Sequence, residues 1–151
     1  MQIIADDGTP LHFEDTGRGH IPLLLLHGFT GTAASWDEIV ALLGDRWRVI
    51  RPTLRGHGES WREGAVCTMD ACVVDIETLL THLGMKQLIV CGYSMGARLA
   101  LYLSLTLPFR VSALATEGGT PGIIGDAERE ARRQSDDALA ASLERDGLEP
   151  F

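Results

Sequence analysis

Positive charge is scarce in this chain. Its 13 Lys and Arg stand against 21 Asp and Glu, a formal net charge of −8 at pH 7. That balance argues against a nucleic-acid partner, which demands a basic face, and it leaves no basic patch for an anionic membrane. Long apolar runs are missing too. The longest covers about six residues around Leu23–Leu26, far short of the ~20 that cross a bilayer. The N-terminus, Met1-Gln2-Ile3-Ile4-Ala5-Asp6-Asp7, carries acids where a secretory signal needs basic residues and an apolar stretch. Cysteine is rare and odd in number. Cys67, Cys72 and Cys91 lack metal-site spacing and read as reduced thiols of a cytoplasmic protein. Nothing in the sequence asks for a metal or an organic cofactor. Histidine is absent beyond His82.

What is present suits one globular domain: 151 residues, 45% of them hydrophobic. Gln2–Ala5 and Leu11–Glu14 read as short strands, and the Asp7-Gly8 pair between them signals a hairpin. Pro22–Leu26 is a buried strand. Ser35-Trp36-Asp37-Glu38 has the form of a capping box and predicts a helix ended by Gly44. Trp47–Arg51 is a further strand. Met69, Val73, Ile76, Leu79, Leu80 and Leu83 recur at helical spacing, with Gly84 as the stop. A strand over Gln87–Cys91, a helix over Ala97–Leu105 and a strand over Val111–Ala115 follow. Asp126–Asp146 is a long charged helix. Strands alternating with helices predict an α/β fold with a mainly parallel sheet.

Gly92-Tyr93-Ser94-Met95-Gly96 reads G-x-S-x-G between the fifth strand and a helix. Strand, sharp turn and helix are the setting in which this motif exposes a nucleophilic serine. Glycines on both sides let strand and helix pack closely about a strained turn. The negative charge such a serine creates needs donors. The backbone N–H groups of Met95 and of Phe29, in His27-Gly28-Phe29-Thr30-Gly31, are the candidates. His57, in Arg55-Gly56-His57-Gly58-Glu59-Ser60, reads as structural, and His12, His20 and His82 as surface residues.

These segments resemble the α/β-hydrolase superfamily. Within it, three stretches are similar to the menaquinone-pathway 2-succinyl-6-hydroxy-2,4-cyclohexadiene-1-carboxylate synthases. They are Gly92–Arg98, Glu117-Gly118-Gly119-Thr120-Pro121-Gly122-Ile123, and Glu128–Asp137 leading to Gly147–Phe151. The resemblance implies the N-terminal part of the fold: an incomplete core over 1–122 and, over 123–151, the beginning of a helical cap. It implies elimination of pyruvate from a succinylated cyclohexene carboxylate. Ser94 would be the catalytic serine, Phe29 and Met95 the oxyanion donors, and Tyr93, Arg98 and Arg132 substrate contacts. Guanidinium forks suit a small substrate bearing carboxylates or an ester. Two departures stand out. Thr53 precedes Leu54 where the family has an acid, which removes that loop's usual support, and no histidine follows Ser94. Two alternatives therefore remain open. One is a small serine esterase whose base is His57, His27 or a neighbouring chain's histidine. The other is a remnant that only binds. The Val111–Ala115 strand, with no later strand in the sequence to cover it, predicts self-association through the sheet edge.

Overall fold

Alternating apolar side chains along the central strands set the layers. The computed structural model describes residues 1–147. It contains β1 (Gln2–Ile4), β2 (Pro10–Asp15), β3 (Ile21–Leu26), α1 (Asp37–Leu43), β4 (Trp47–Pro52), α2 (Met69–His82), β5 (Leu88–Tyr93), α3 (Met95–Thr106), β6 (Val111–Glu117) and α4 (Asp126–Asp146). The six strands form one sheet in the order β1-β2-β4-β3-β5-β6. The first three in that order pair antiparallel, and β4, β3, β5 and β6 pair parallel. Successive residues of a strand point to opposite faces. Leu24 and Leu26 join Ile50, Val90 and the buried sides of α2 and α3 in the larger core. Leu23 and Leu25 join Val49 on the other face, under Trp36, Val40 and Leu43. Burial on both faces is why these strands read as unbroken apolar runs.

The chain divides into two compact units, Met1–Thr120 and Pro121–Phe151. The second is built on α4, which has no buried residue. It carries ion pairs at helical spacing: Arg129–Asp126, Arg132–Asp136 and Arg133–Glu130. Among the described residues, no helix is long and apolar enough to cross a membrane.

Two local expectations differ from the structure. The Ser35–Glu38 box does not form. The Ser35 hydroxyl instead accepts the Thr32 N–H (3.1 Å), capping a 3₁₀ turn over Ala33–Trp36, and α1 starts at Asp37. Strand β5 also runs two residues beyond Cys91. Gly92 and Tyr93 pair with Thr116 and Glu117 because β6 extends alongside them. The reach of a partner strand overrides the local turn signal of the glycine.

Candidate active site

The junction of β5 and α3 is built by close backbone approach. Ser94 sits between them with φ 53°, a left-handed conformation rare outside glycine. A Cβ on Gly96 would lie 2.1 Å from the Leu26 carbonyl oxygen at the end of β3, and one on Gly92 would lie 2.2 Å from the Gly96 oxygen. Neither position has room for a side chain. The Ser94 N–H donates to the Glu117 carbonyl (2.8 Å), tying the turn to the end of β6. Gly118 and Gly119 follow against the same turn. A Cβ on Gly119 would lie 3.5 Å from the Ser94 oxygen, and one on Gly118 would lie 3.4 Å from the Tyr93 ring.

The loop after β3 comes to the same place. A Cβ on Gly28 would stand 3.4 Å from the Ser94 Cβ and 3.0 Å from Cδ1 of Tyr93. His27 fixes this loop from within the core. It is 1% exposed. Its Nε2 accepts the Leu54 N–H (2.9 Å), so its proton sits on Nδ1, which donates to the Gly28 carbonyl (2.8 Å). Burial pulls its pKa down to about 4 despite that hydrogen bond, and His57 nearby adds to the fall. Both ring nitrogens are therefore committed, and His27 is unsuited to serve as a base for Ser94. This is the reason the esterase alternative that borrows His27 falls away. Thr53 also departs from expectation. Its hydroxyl accepts the Ala33 N–H (3.2 Å) and its own N–H donates to the His12 carbonyl (2.8 Å), so the loop is supported without an acid.

A cleft of about 340 Å³ opens beside this junction, with Phe29, Leu54, His57, Met69, Met95 and Leu99 among its walls. The His57 ring stands edge-on to Phe29 at 6.1 Å and to His27 at 5.1 Å, and its Nδ1 faces the Arg55 carbonyl (3.1 Å). Arg55 also lines the cleft, but its charge is spent elsewhere. It forks onto Asp75 (2.7 and 2.5 Å) and reaches Asp7 (2.6 Å) and Thr9 (3.2 Å). The Asp75 hydrogen bonds raise the Arg55 pKa above the usual guanidinium range, and Arg55 in turn holds the Asp7 carboxyl well below the carboxylate range. The sequence carried a faint sign of this network. Asp75 falls three residues after Cys72 and four before Leu79, on the apolar stripe of α2.

The structure thus gathers Ser94, Met95, Phe29 and Tyr93 at one end of the sheet. Phe29 and Tyr93 are exposed there. Arg98 is exposed on α3, one turn beyond Ser94, and takes part in no ion pair among the described residues. Arg132 lies in the second unit, on α4, where its Nε donates to both carboxylate oxygens of Asp136 (2.8 Å each). Among the described residues, no hydrogen bond joins the Ser94 hydroxyl to a histidine or an acid. Residues Leu148–Phe151, the end of the third resembling stretch, lie outside the described residues.

Comparison with known proteins identifies the fold that carries this geometry. Residues 21–145 match the family model described as the alpha/beta hydrolase fold. The 2-succinyl-6-hydroxy-2,4-cyclohexadiene-1-carboxylate synthase of Citrobacter koseri is 38% identical over 127 residues, 83% of this chain and 49% of that protein. The structure of MenH from S. aureus superposes with a TM-score of 0.82 at 30% identity, over 93% of this chain and 54% of the other. A thermophilic esterase from Thermogutta terrifontis, in a malate-bound form, gives 0.83 at 32% identity over 99% and 54%. The chain spans about half the length of the relatives it matches.

Proposed function

We propose, from the premise that this chain belongs to the α/β-hydrolase fold family, that Ser94 is the reactive group of a site acting on a small carboxylate- or ester-bearing molecule. The synthase that eliminates pyruvate from a succinylated cyclohexene carboxylate is the reading the relatives favour. The observation that carries it is Ser94 in a left-handed turn, with the Gly28 loop against it and a cleft beside it. A serine so placed projects from the sheet, and the start of α3 stabilises negative charge next to it. The N–H groups of Phe29 and Met95 flank the position where an oxyanion develops. Tyr93 packs the rim. Arg98 orients carboxylates, and the malate held by the esterase relative fits a dicarboxylate-sized ligand.

Labelling by an organophosphonate ester tests this reading. Ser94 should react far faster than any other serine, and Ser94→Ala should abolish the label together with any lyase or esterase turnover. Label at ordinary-serine rates would instead mark a protein that binds without turnover. Arg98→Ala should weaken carboxylate-bearing substrates far more than neutral esters, and equal losses would remove Arg98 from that role. One observation favours a second reading, a small serine esterase. His57 lines the cleft with its Nδ1 held to the Arg55 carbonyl, leaving Nε2 to accept a proton. Esterase turnover that is lost in Ser94→Ala and lost again in His57→Ala would select it. Either reading is compatible with self-association through the side of β6 that is unpaired among the described residues.

A further inference from the structure

The first turn of α2 carries a feature that neither reading above uses. Thr68 is the N-cap of this helix, and its hydroxyl accepts the Ala71 N–H (3.2 Å). Counting from that cap, Cys67 is the residue just before it and Cys72 is the fourth residue of the helix. Side chains at these two positions face one another across the first turn, the arrangement that apolar pairs use to staple a helix start. Here both staple positions hold thiols. Both thiols also line the cleft that Phe29 and Met95 share. Cys67 is exposed and Cys72 is half-buried. The Cys67 sulfur donates weakly to the Ala65 carbonyl (3.7 Å) and rests where a Cβ on Gly56 would meet it at 3.0 Å. It thus touches the loop that holds His57. The third cysteine, Cys91, lies on β5 among the residues packed on the opposite face of the sheet.

We propose that Cys67 and Cys72 form a thiol–disulfide site at the mouth of the cleft, oxidised by low-molecular-weight disulfides of the glutathione type. The exposed Cys67 thiolate attacks one sulfur of the oxidant, forming a mixed disulfide and expelling the first thiolate, which takes a proton from solvent. Cys72 then gives up its proton and attacks the Cys67 sulfur, expelling the second thiolate. Two protein thiols lose two electrons to the small disulfide, which leaves as two thiols. The two cysteines divide the work by burial. The Cys72 thiol is pushed up to about 11 by burial first and by the Asp75 charge second, with Arg55 opposing, so it resolves rather than initiates. Closing the bond draws Cys67 off Gly56 and reshapes the cleft wall. The reduced form holds the open cleft seen here.

The sequence makes the test direct. Trypsin releases Cys67 and Cys72 together in Glu63–Lys86 and Cys91 separately in Gln87–Arg98. The chain is incubated with glutathione disulfide, quenched with iodoacetamide and mapped by mass. The expected result is a Glu63–Lys86 peptide lighter by two hydrogens and carrying no alkyl group, restored by dithiothreitol, while Cys91 remains alkylated. Cys72→Ser should stop at a stable glutathione adduct on Cys67, and Cys67→Ser should leave Cys72 alkylated. Intramolecular closure should also run faster in the folded chain than in urea. A wild-type chain that keeps its glutathione adduct, cross-links to a second copy, does not react, or closes no faster folded than unfolded overturns the proposal.

Discussion

At the scale of single residues, Ser94 and the groups behind it share one constraint. A residue in left-handed backbone costs of order 1–3 kcal/mol and persists only where its surroundings dictate it. Here the ladder between β5 and β6, the Glu117 carbonyl and the contact of Gly96 with β3 supply that insistence. Gly96→Ala tests the last of these. Alanine gains about 1 kcal/mol in helix propensity, but its Cβ would fall 2.1 Å from the Leu26 oxygen. Strain should win, with a net loss of about 1–3 kcal/mol in urea unfolding and slower labelling of Ser94. His27 gives the pH prediction. Its pKa of about 4 in the fold lies below the model-peptide value of 6.5. Between those limits the unfolded chain binds a proton that the folded chain refuses. Stability is therefore complete above pH 6.5 and falls as the pH drops toward 4, by at most on the order of 3 kcal/mol. Urea midpoints at pH 7 and pH 5 should differ in the native chain, and His27→Gln should flatten the difference.

At the scale of elements, the cleft depends on how α2 is tied to the loop after β4. The Arg55–Asp75 pair does this, with side chains 3% and 5% exposed. Buried charges stand only while paired, and removing one partner strands the other. Arg55→Ala should cost about 3–5 kcal/mol and loosen the loop that carries His57. Replacing both partners at once, Arg55→Met with Asp75→Leu, should recover much of that loss, because no orphan charge remains. A double change as damaging as the single one would show that the pair positions the loop through geometry that apolar packing does not replace. Helix α2 is thus held by an ion pair on one side of its first turns and by the Thr68 cap at its start.

At the scale of the molecule, the two edges of the sheet differ. Strand β1 has three residues and ends the antiparallel side. Strand β6 has seven, pairs among the described residues with β5 alone, and leaves all but Val111 exposed. A long strand with one unpaired side is a template for a second chain, and a two-fold dimer through it would continue the sheet across both copies. Sedimentation at falling concentration should reveal dissociation, and Leu114→Lys, which puts a charge on that strand, should weaken association. A chain that stays a folded monomer across the whole range would remove this expectation.

The sequence by itself determined the elements and marked Ser94 as the candidate reactive serine. Apolar runs, helical spacing and glycine stops are local signals, and G-x-S-x-G between a strand and a helix marks its own turn. The order of strands, the extension of β5 through Tyr93 and the choice of Ser35 as partner for Thr32 were settled by neighbours distant in sequence or competing at close range. The roles of the histidines belong to the same class. His27 ends the apolar run of β3 and His57 lies between Gly56 and Gly58, and neither setting says which ring nitrogens are engaged. Only the fold brings the Leu54 N–H onto one ring and leaves the other facing the cleft. Asp75 likewise reads as a flaw in an apolar stripe until the loop after β4 delivers Arg55 against it. A hydrogen-bond partner or a buried counter-charge is a property of two chain segments at once, and spacing along one segment does not encode it.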